Sequence, residues 1–257
     1  MLLGTDPVYA RNRRIFKHLP SSPRCKMCNA PFAGPGARVL QLLGRGRWAK
    51  NGKYCGMCFT MLQTHHGGAE IECSLLFADV RGSTSLAEHM RPADFSRLLD
   101  RFYAVATDVL VEHDAIVDKF VGDEVVAIFI PALTGDAHAA RAIGSATALL
   151  RATGHDDPAG PWIPVGAGVT TGVAYVGAVG GGSKPEMTAL GDVVNTAARL
   201  ASAAKAGELL VTLPAARAGG LVQDDHEARQ LELKGKAEPV DVIVVNPRAQ
   251  VPVGTAG

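Results

Sequence analysis

From residue 71 onward the apolar positions alternate between the periods of strands and helices. IECSLLFADV (71–80) is a nearly unbroken apolar run of strand length. RPADFSRLLDRFYAVATDVLVEH (91–113) repeats at helical spacing, with Pro92 in the first turn and Phe95, Leu98, Leu99, Phe102, Val105 and Val109 on one face. AIVDKFVGDEVVAIFIP (115–131) predicts two short strands joined at Gly122-Asp123, a hairpin signal. GDAHAARAIGSATALLRAT predicts a helix capped by Asp136, and IPVGAGVTTGVAYVGAV a pair of strands punctuated by glycine. GGGSKPEM reads as a loop, GDVVNTAARLASAAKAG as a third helix ending at Gly207, and LLVT, LELKG and VDVIVV as short strands. The order β-α-β-β-α-β is that of the ferredoxin-like split βαβ. It predicts an α+β fold, an antiparallel sheet with helices on one face.

Composition and charge then divide the chain. Its 257 residues are 47% hydrophobic, with 29 Gly and 15 Pro, which suits one large domain or a medium domain plus a small one. Residues 1–60 hold 11 Lys/Arg against one acid, Asp6, while the remainder holds 15 Lys/Arg against 24 Asp/Glu. The overall charge of +1 therefore conceals +10 in front and −9 behind, which predicts two parts with different jobs. The expected division is a basic module over 1–67, a larger domain over 68–247 and a loose Pro/Gly/Ala-rich tail over 248–257. No apolar run approaches the ~18 residues of a membrane span, and the N-terminal basic residues follow the apolar ones, unlike a signal peptide. The expectation is a cytoplasmic protein.

Four of the five cysteines form two C-x2-C pairs, Cys25/Cys28 in RCKMCN and Cys55/Cys58 in YCGMCF. Each pair turns two thiolates toward one point, and two such knuckles make a tetrahedral all-sulfur site suited to structural Zn2+. An iron–sulfur cluster is the alternative, because four cysteines serve it equally well. Cys73, inside ECSLLF, is expected to pack as a small buried hydrophobe. His65 and His66 are candidate extra ligands, but beside Gly67-Gly68 they read better as a hinge. The Lys/Arg of the module, interleaved with Phe16, Phe32, Trp48 and Tyr54, suit nucleic acid or anionic lipid in principle. They equally suit the −9 part of the same chain. A metal-stapled module packed on the larger domain is the reading adopted, and nucleic acid is not the expected partner.

The chemistry starts at Asp79, ending a strand in FADVRGST, and Asp123, at the hairpin tip in KFVGDEVV. If the two strands are neighbours, both carboxylates face one sheet edge. With a backbone carbonyl such as that of Val80, they suit a pair of Mg2+ or Mn2+ ions holding a nucleoside triphosphate. Gly82, Ser83 and Thr84 follow at a helix start, where free N–H groups suit phosphates.

LLFADVRGST, VDKFVGDEVVAIF, LGDVVNTAARL and LKGKAEPV resemble, in order and spacing, the signature segments of the class III nucleotidyl cyclases, over roughly residues 72–246. That resemblance implies a head-to-tail homodimer with shared active sites, metal ligands coming from one subunit and base and transition-state contacts from the other. It implies two metal-binding aspartates at Asp79 and Asp123, and an adenine-reading lysine at Lys119. It further implies a ribose-orienting Asn195, an Arg199 that stabilises the pentavalent phosphorus, and a Lys234 that meets the terminal phosphates. Thr188 departs from the aspartate of many adenylate cyclases, and the Lys119/Thr188 pair resembles a subgroup in which the threonine hydroxyl accepts from the adenine amino group. Lys119 donates to adenine N1, whereas guanine N1 carries a hydrogen, so ATP is the expected substrate and cyclic AMP the product. A hydroxyl also donates, so Thr188 by itself discriminates weakly. The alternatives are a guanylate cyclase, or a metal-ribbon nucleic-acid-binding regulator whose cyclase domain is inactive. A fragment beginning near Gly68 is expected to retain activity.

Overall fold

The computed structural model describes residues 7–19, 23–48, 52–64, 68–180, 186–222 and 225–248. Its N-terminal part comprises α1 (Pro7–Lys17), α2 (Gly34–Leu40), which runs into a kinked turn at Gln41–Arg45, and α3 (Gly56–Thr64). There follow β1 (Gly68–Val80), α4 (Ser83–His89), α5 (Pro92–Glu112), β2 (Ile116–Val121), β3 (Glu124–Phe129), α6 (Pro131–Thr134) and α7 (His138–Ala152). The chain closes with β4 (Val165–Val179), β5 (Glu186–Leu190), α8 (Asp192–Ala203), β6 (Leu209–Thr212), α9 (Leu213–Ala218), β7 (Glu227–Leu231) and β8 (Val240–Val245).

One sheet runs β2-β3-β1-β4-β6-β8-β7, with β5 paired to β4. All pairings are antiparallel except β4 with β6. The βαββαβ order and the α+β class hold, and the two helices of that unit, α5 and α7, cover one face. Even-numbered β1 residues Leu76, Ala78 and Val80 meet Phe102, Ala106 and Leu110 of α5 and Ile143, Leu149 and Leu150 of α7. The odd residues Ile71, Cys73, Leu75 and Phe77 face the other way, onto Ala197 and Ala201 of α8 and onto Phe16, Met27, Tyr54 and Phe59 of the N-terminal part. The module therefore shares its core with the second face of the sheet. Its cations meet acids there: Lys17 pairs with Asp114 at 3.0 Å, Lys53 with Glu186 at 2.6 Å and Lys26 with Asp118 at 2.6 Å.

Several local expectations are corrected. The glycine-punctuated segment is a single strand of 15 residues, because Gly166 and Gly168 make room for α8 instead of breaking the chain. The end of the supposed GGGSKPEM loop opens β5, whose Met187, Thr188 and Ala189 are buried. The third helix stops at Ala203, and Asp136 lies in a 3-10 turn without a capping bond. LELKG is mostly turn, since β7 ends at Leu231 and Gly235 takes φ +76°. Cys73 is buried as expected. His65, His66 and the tail beyond residue 248 lie outside the described residues.

Candidate active site

Asp79 is the penultimate residue of β1, opposite Glu124 of β3, and Asp123 occupies the two-residue turn between β2 and β3 beside Gly122, whose φ of +60° suits a tight hairpin. Neighbouring strands thus bring both carboxylates to one edge, where the Val80 N–H donates to the Asp123 carbonyl at 3.3 Å. Burial, then a hydrogen bond with Asp123, pushes the Asp79 carboxyl up to about 6, against the pull of Arg81. Burial and the charges of Asp79 and Asp123 push Glu124 up to about 7. Carboxyls crowded this way call for a cation, and Arg81 supplies one by pairing with Asp79 while donating to the Ser202 carbonyl at 2.8 Å. The oxygen donors of Asp79, Asp123 and the Val80 carbonyl fit hard divalent cations. Gly82, at φ +68°, caps α4, so the N–H groups of Ser83 and Thr84 lie in its first turn, free of intrahelical partners.

The other expected groups gather beside this edge, with Glu124 lying between the two. Lys119 and Asn195 line one cavity of about 210 Å3, walled by Leu75, Phe77, Val126 and Ala189. Thr188 on β5 reaches it through Asp118, its hydroxyl donating to Asp118 Oδ2 at 2.7 Å. Arg199 follows Asn195 by one turn of α8. That helix rests directly on β4: a Cβ on Gly168 would lie 2.6 Å from the Ala201 nitrogen, and Thr170 donates to the Val193 carbonyl at 3.1 Å. The loop carrying Lys234 is brought alongside, with Gly235 against the Arg199 guanidinium and Lys236 paired with Asp192. Lys119, Thr188, Asn195, Arg199 and the Lys234 loop therefore assemble within one chain. Asp79 and Asp123 do not line their cavity, and only Glu124 of the acidic edge does. At 210 Å3 the cavity is also below the roughly 300–1,000 Å3 of a complete small-molecule site.

The sulfur atoms of Cys25, Cys28, Cys55 and Cys58 all lie within 4.8 Å of one another, fully enclosed. None of the five cysteines is in a disulfide, and the Cys28 and Cys55 sulfurs stand 3.7 Å apart. That separation matches the roughly 3.8 Å edge of a tetrahedron with ~2.3 Å Zn–S bonds. Two knuckles hold them: Asn29 N–H donates to the Cys25 carbonyl, and Cys55 N–H to Cys25 Sγ at 3.3 Å. Burial pushes the Cys25 thiol up, and hydrogen bonding from Cys25 pulls Cys28 and Cys55 down. An enclosed cluster of four sulfur ligands fits a soft or borderline cation.

The family profile of the adenylate and guanylate cyclase catalytic domain matches residues 68–246. The chain belongs to that family. An uncharacterized Mycobacterium tuberculosis protein is 32% identical over 181 residues, covering 68% of this chain and 32% of the relative. The terminal-differentiation-specific adenylate cyclase of Dictyostelium discoideum is 31% identical over 180 residues, 67% of this chain and 8% of its own length. The chain thus spans about a third of the mycobacterial relative and less of the other. Among solved structures, the adenylyl cyclase CyaB of P. aeruginosa superimposes with a TM-score of 0.61 at 26% identity, covering 72% of this chain and 98% of that one. The guanylate cyclase domain of RhGC from Catenaria anguillulae, in complex with GTP, gives 0.58 at 21%, with 68% and 96% covered. The cyclase fold begins at Gly68, so the four-cysteine module lies outside the matched region. Family membership alone leaves the base open, since both kinds of cyclase are among the neighbours.

Sequence reasoning missed two residues that touch this group of side chains, Asp118 through Thr188 and Lys26 through Asp118. Asp118 shares the buried phase of β2 with Ile116, and an acid in that phase was the available signal. Lys26 carried none, because nothing in a cysteine knuckle says where its middle residues point.

Proposed function

We propose that the chain is an adenylate cyclase that converts ATP to 3′,5′-cyclic AMP and pyrophosphate at sites shared between two copies. Residues 68–247 form the catalytic unit and residues 1–67 a zinc-stapled module. The observation that carries the reading is that Lys119 and Asn195 line one cavity, with Thr188 joined to it through Asp118, while Asp79 and Asp123 do not line it. A half-site of this kind needs a second chain to bring acids to the phosphates. Two Mg2+ or Mn2+ ions held by Asp79, Asp123 and the Val80 carbonyl would acidify the ribose 3′-hydroxyl and neutralise the phosphates.

The chain's own groups do the rest. Lys119 donates to adenine N1, which locates the base. Asn195 orients the ribose so that the 3′-oxygen stands in line with the bond to pyrophosphate, and this positioning supplies much of the rate. Arg199 meets negative charge that grows on the α-phosphoryl oxygens, so it binds the transition state better than the ground state. Lys234 and the first-turn amides of α4 receive the terminal phosphates.

Turnover of ATP and GTP by the full chain with Mn2+ tests the reaction, and comparable use of both would overturn the base assignment. Shared sites are tested by mixing Asp79→Ala with Arg199→Ala, each inactive alone. Heterodimers carry one intact site, so a statistical mixture should regain about a quarter of wild-type activity. No recovery in demonstrably exchanging dimers would place both residues in one chain's site.

A further inference from the structure

We infer that Asp118 fixes the direction of the Thr188 hydroxyl, that Lys26 of the cysteine knuckle fixes Asp118, and that the four-cysteine module thereby sets the base selectivity of the nucleotide site. This rests on the reading of Lys119 and Thr188 as the base contacts. A free hydroxyl both donates and accepts, so it accommodates the 6-amino group of adenine or the 6-oxo group of guanine. Thr188 is not free. Its hydrogen is committed to Asp118 Oδ2 at 2.7 Å, and a carboxylate is an acceptor only. What Thr188 has left to offer a base is a lone pair. That accepts from an amino group and repels a carbonyl.

The commitment has a structural cause. The β2–β3 register slips between Val117 and Lys119, which leaves Asp118 without a cross-strand partner, and its side chain lies inward in the phase of Ile116, at 4% exposure, while Lys119 stays at 44%. A carboxylate so enclosed needs a cation and further donors. Lys26, 5% exposed, supplies its ammonium at 2.6 Å to Oδ1 and also donates to the Met187 carbonyl at 2.7 Å. One side chain from the module thus joins the bulge of β2 to the strand residue preceding Thr188. Lys119 Nζ lies 3.5 Å from the same carboxylate, so the base-reading lysine belongs to the network as well.

The backbone of Lys26 is held on every side. Its N–H donates to the Lys53 carbonyl at 2.8 Å, Arg13 donates to its carbonyl at 3.3 Å, and its neighbours Cys25 and Cys28 are two of the four clustered cysteines. Asp118 and Lys26 are positioning residues: neither needs to touch the nucleotide.

The test uses the full chain and three triphosphates, those of adenosine, guanosine and purine riboside, the last lacking the 6-amino group. The readout is the ratio of kcat/KM values within each variant, which cancels differences in folded fraction. Wild type should prefer ATP over purine riboside triphosphate by about tenfold, one hydrogen bond's worth. Asp118→Asn lets an amide N–H donate to Thr188 and frees its hydrogen, so that preference should fall to within about twofold of unity, and the ATP:GTP ratio should fall about tenfold. Lys26→Met should move both ratios the same way. The isosteric Lys26→Met/Asp118→Asn variant avoids an unpaired buried charge and guards against misfolding. In a Thr188→Ala background, Asp118→Asn should leave the preference for ATP over purine riboside triphosphate unchanged, since Lys119 meets the same N1 acceptor in both bases. A wild-type enzyme that prefers ATP, with ratios unchanged in the double variant and in Asp118→Asn, overturns the inference and leaves the proposed function standing. A wild-type enzyme indifferent to the base overturns both.

Discussion

Gly168 offers a test of how α8 is aimed, because its missing side chain is what lets the helix lie on β4. A Cβ there would sit 2.6 Å from both the Ala201 nitrogen and Leu200 Cβ, and 2.8 Å from the Ala197 carbonyl oxygen. Ordinary carbon contacts are about 3.5–4.0 Å, so Gly168→Ala must push the helix off the strand by about 1 Å. Two of the three obstructing atoms are backbone, which no rotamer change relieves. Overpacking of this kind costs about 1–3 kcal/mol, or roughly 2–12 °C in Tm for a chain this size. The effect on turnover should be larger in proportion, because α8 carries Asn195 and Arg199 and a 1 Å misplacement costs about 100-fold. Gly172→Ala is the internal control. On the same strand, its Cβ would meet only the Val193 side chain, at 3.4 and 3.7 Å, and should change kcat less than threefold. The assay is cyclic AMP formation against thermal unfolding for both variants. Gly168→Ala within threefold of wild-type kcat, or as active as Gly172→Ala, would refute the claim that this contact aims the helix.

Cys55→Ser/Cys58→Ser should lose one equivalent of bound zinc by elemental analysis and unfold the module, since structural zinc contributes on the order of 10–16 kcal/mol in small domains. The Asp79 carboxyl, raised to about 6 from an ordinary value of about 3.9, favours the folded state most fully below about pH 4, and that contribution is lost as pH rises through 6. Metal binding must displace the same proton, so Mn2+ affinity should fall as pH drops below 6, with proton release by calorimetry that Asp79→Asn abolishes. A chain begun at Gly68 should show a lower Tm and aggregate by light scattering, because it bares Ile71, Ile116, Ile130 and Met187, which share a core with Phe16, Met27, Tyr54 and Phe59.

Most strands and both long helices were legible in sequence because each buries one face and so prints a period on the chain. The α5 stripe read through Phe102, Val105 and Val109 is of this kind, although its fully buried line is Phe102, Ala106 and Leu110, and so is the hairpin at Gly122-Asp123. The failures have a common cause in tertiary contact. β4 read as two strands because the same glycines that mark breaks elsewhere here admit a helix backbone. β5 was hidden because GGGSKPEM looks like a loop until its last two residues, and it is a strand through pairing with the far half of β4. Asp118 went unremarked although it shares the buried phase of β2 with Ile116, because its partners Lys26 and Thr188 come from distant parts of the chain.

The charge asymmetry, +10 against −9, read as two parts with different jobs, and the structure gives it an intramolecular use. Lys17, Lys26 and Lys53 end on Asp114, Asp118 and Glu186, so the two parts neutralise one another across their contact. Each also lacks what the other provides. A short, loop-rich segment has too little apolar surface for a core of its own, and the second face of the sheet carries apolar residues that the module helps to cover beside α8 and α6. On the proposed reading, folding of the module depends on a metal at one side and the sheet at the other. A metal bound only by the folded module stabilises that contact by mass action, and the contact includes Lys26. Coupling of this sort is reciprocal: if metal occupancy changes nucleotide affinity by some factor, nucleotide must change metal affinity by the same factor. Such a link requires no separate signal-receiving surface, only the ion pair that joins a cysteine knuckle to the bulge of β2.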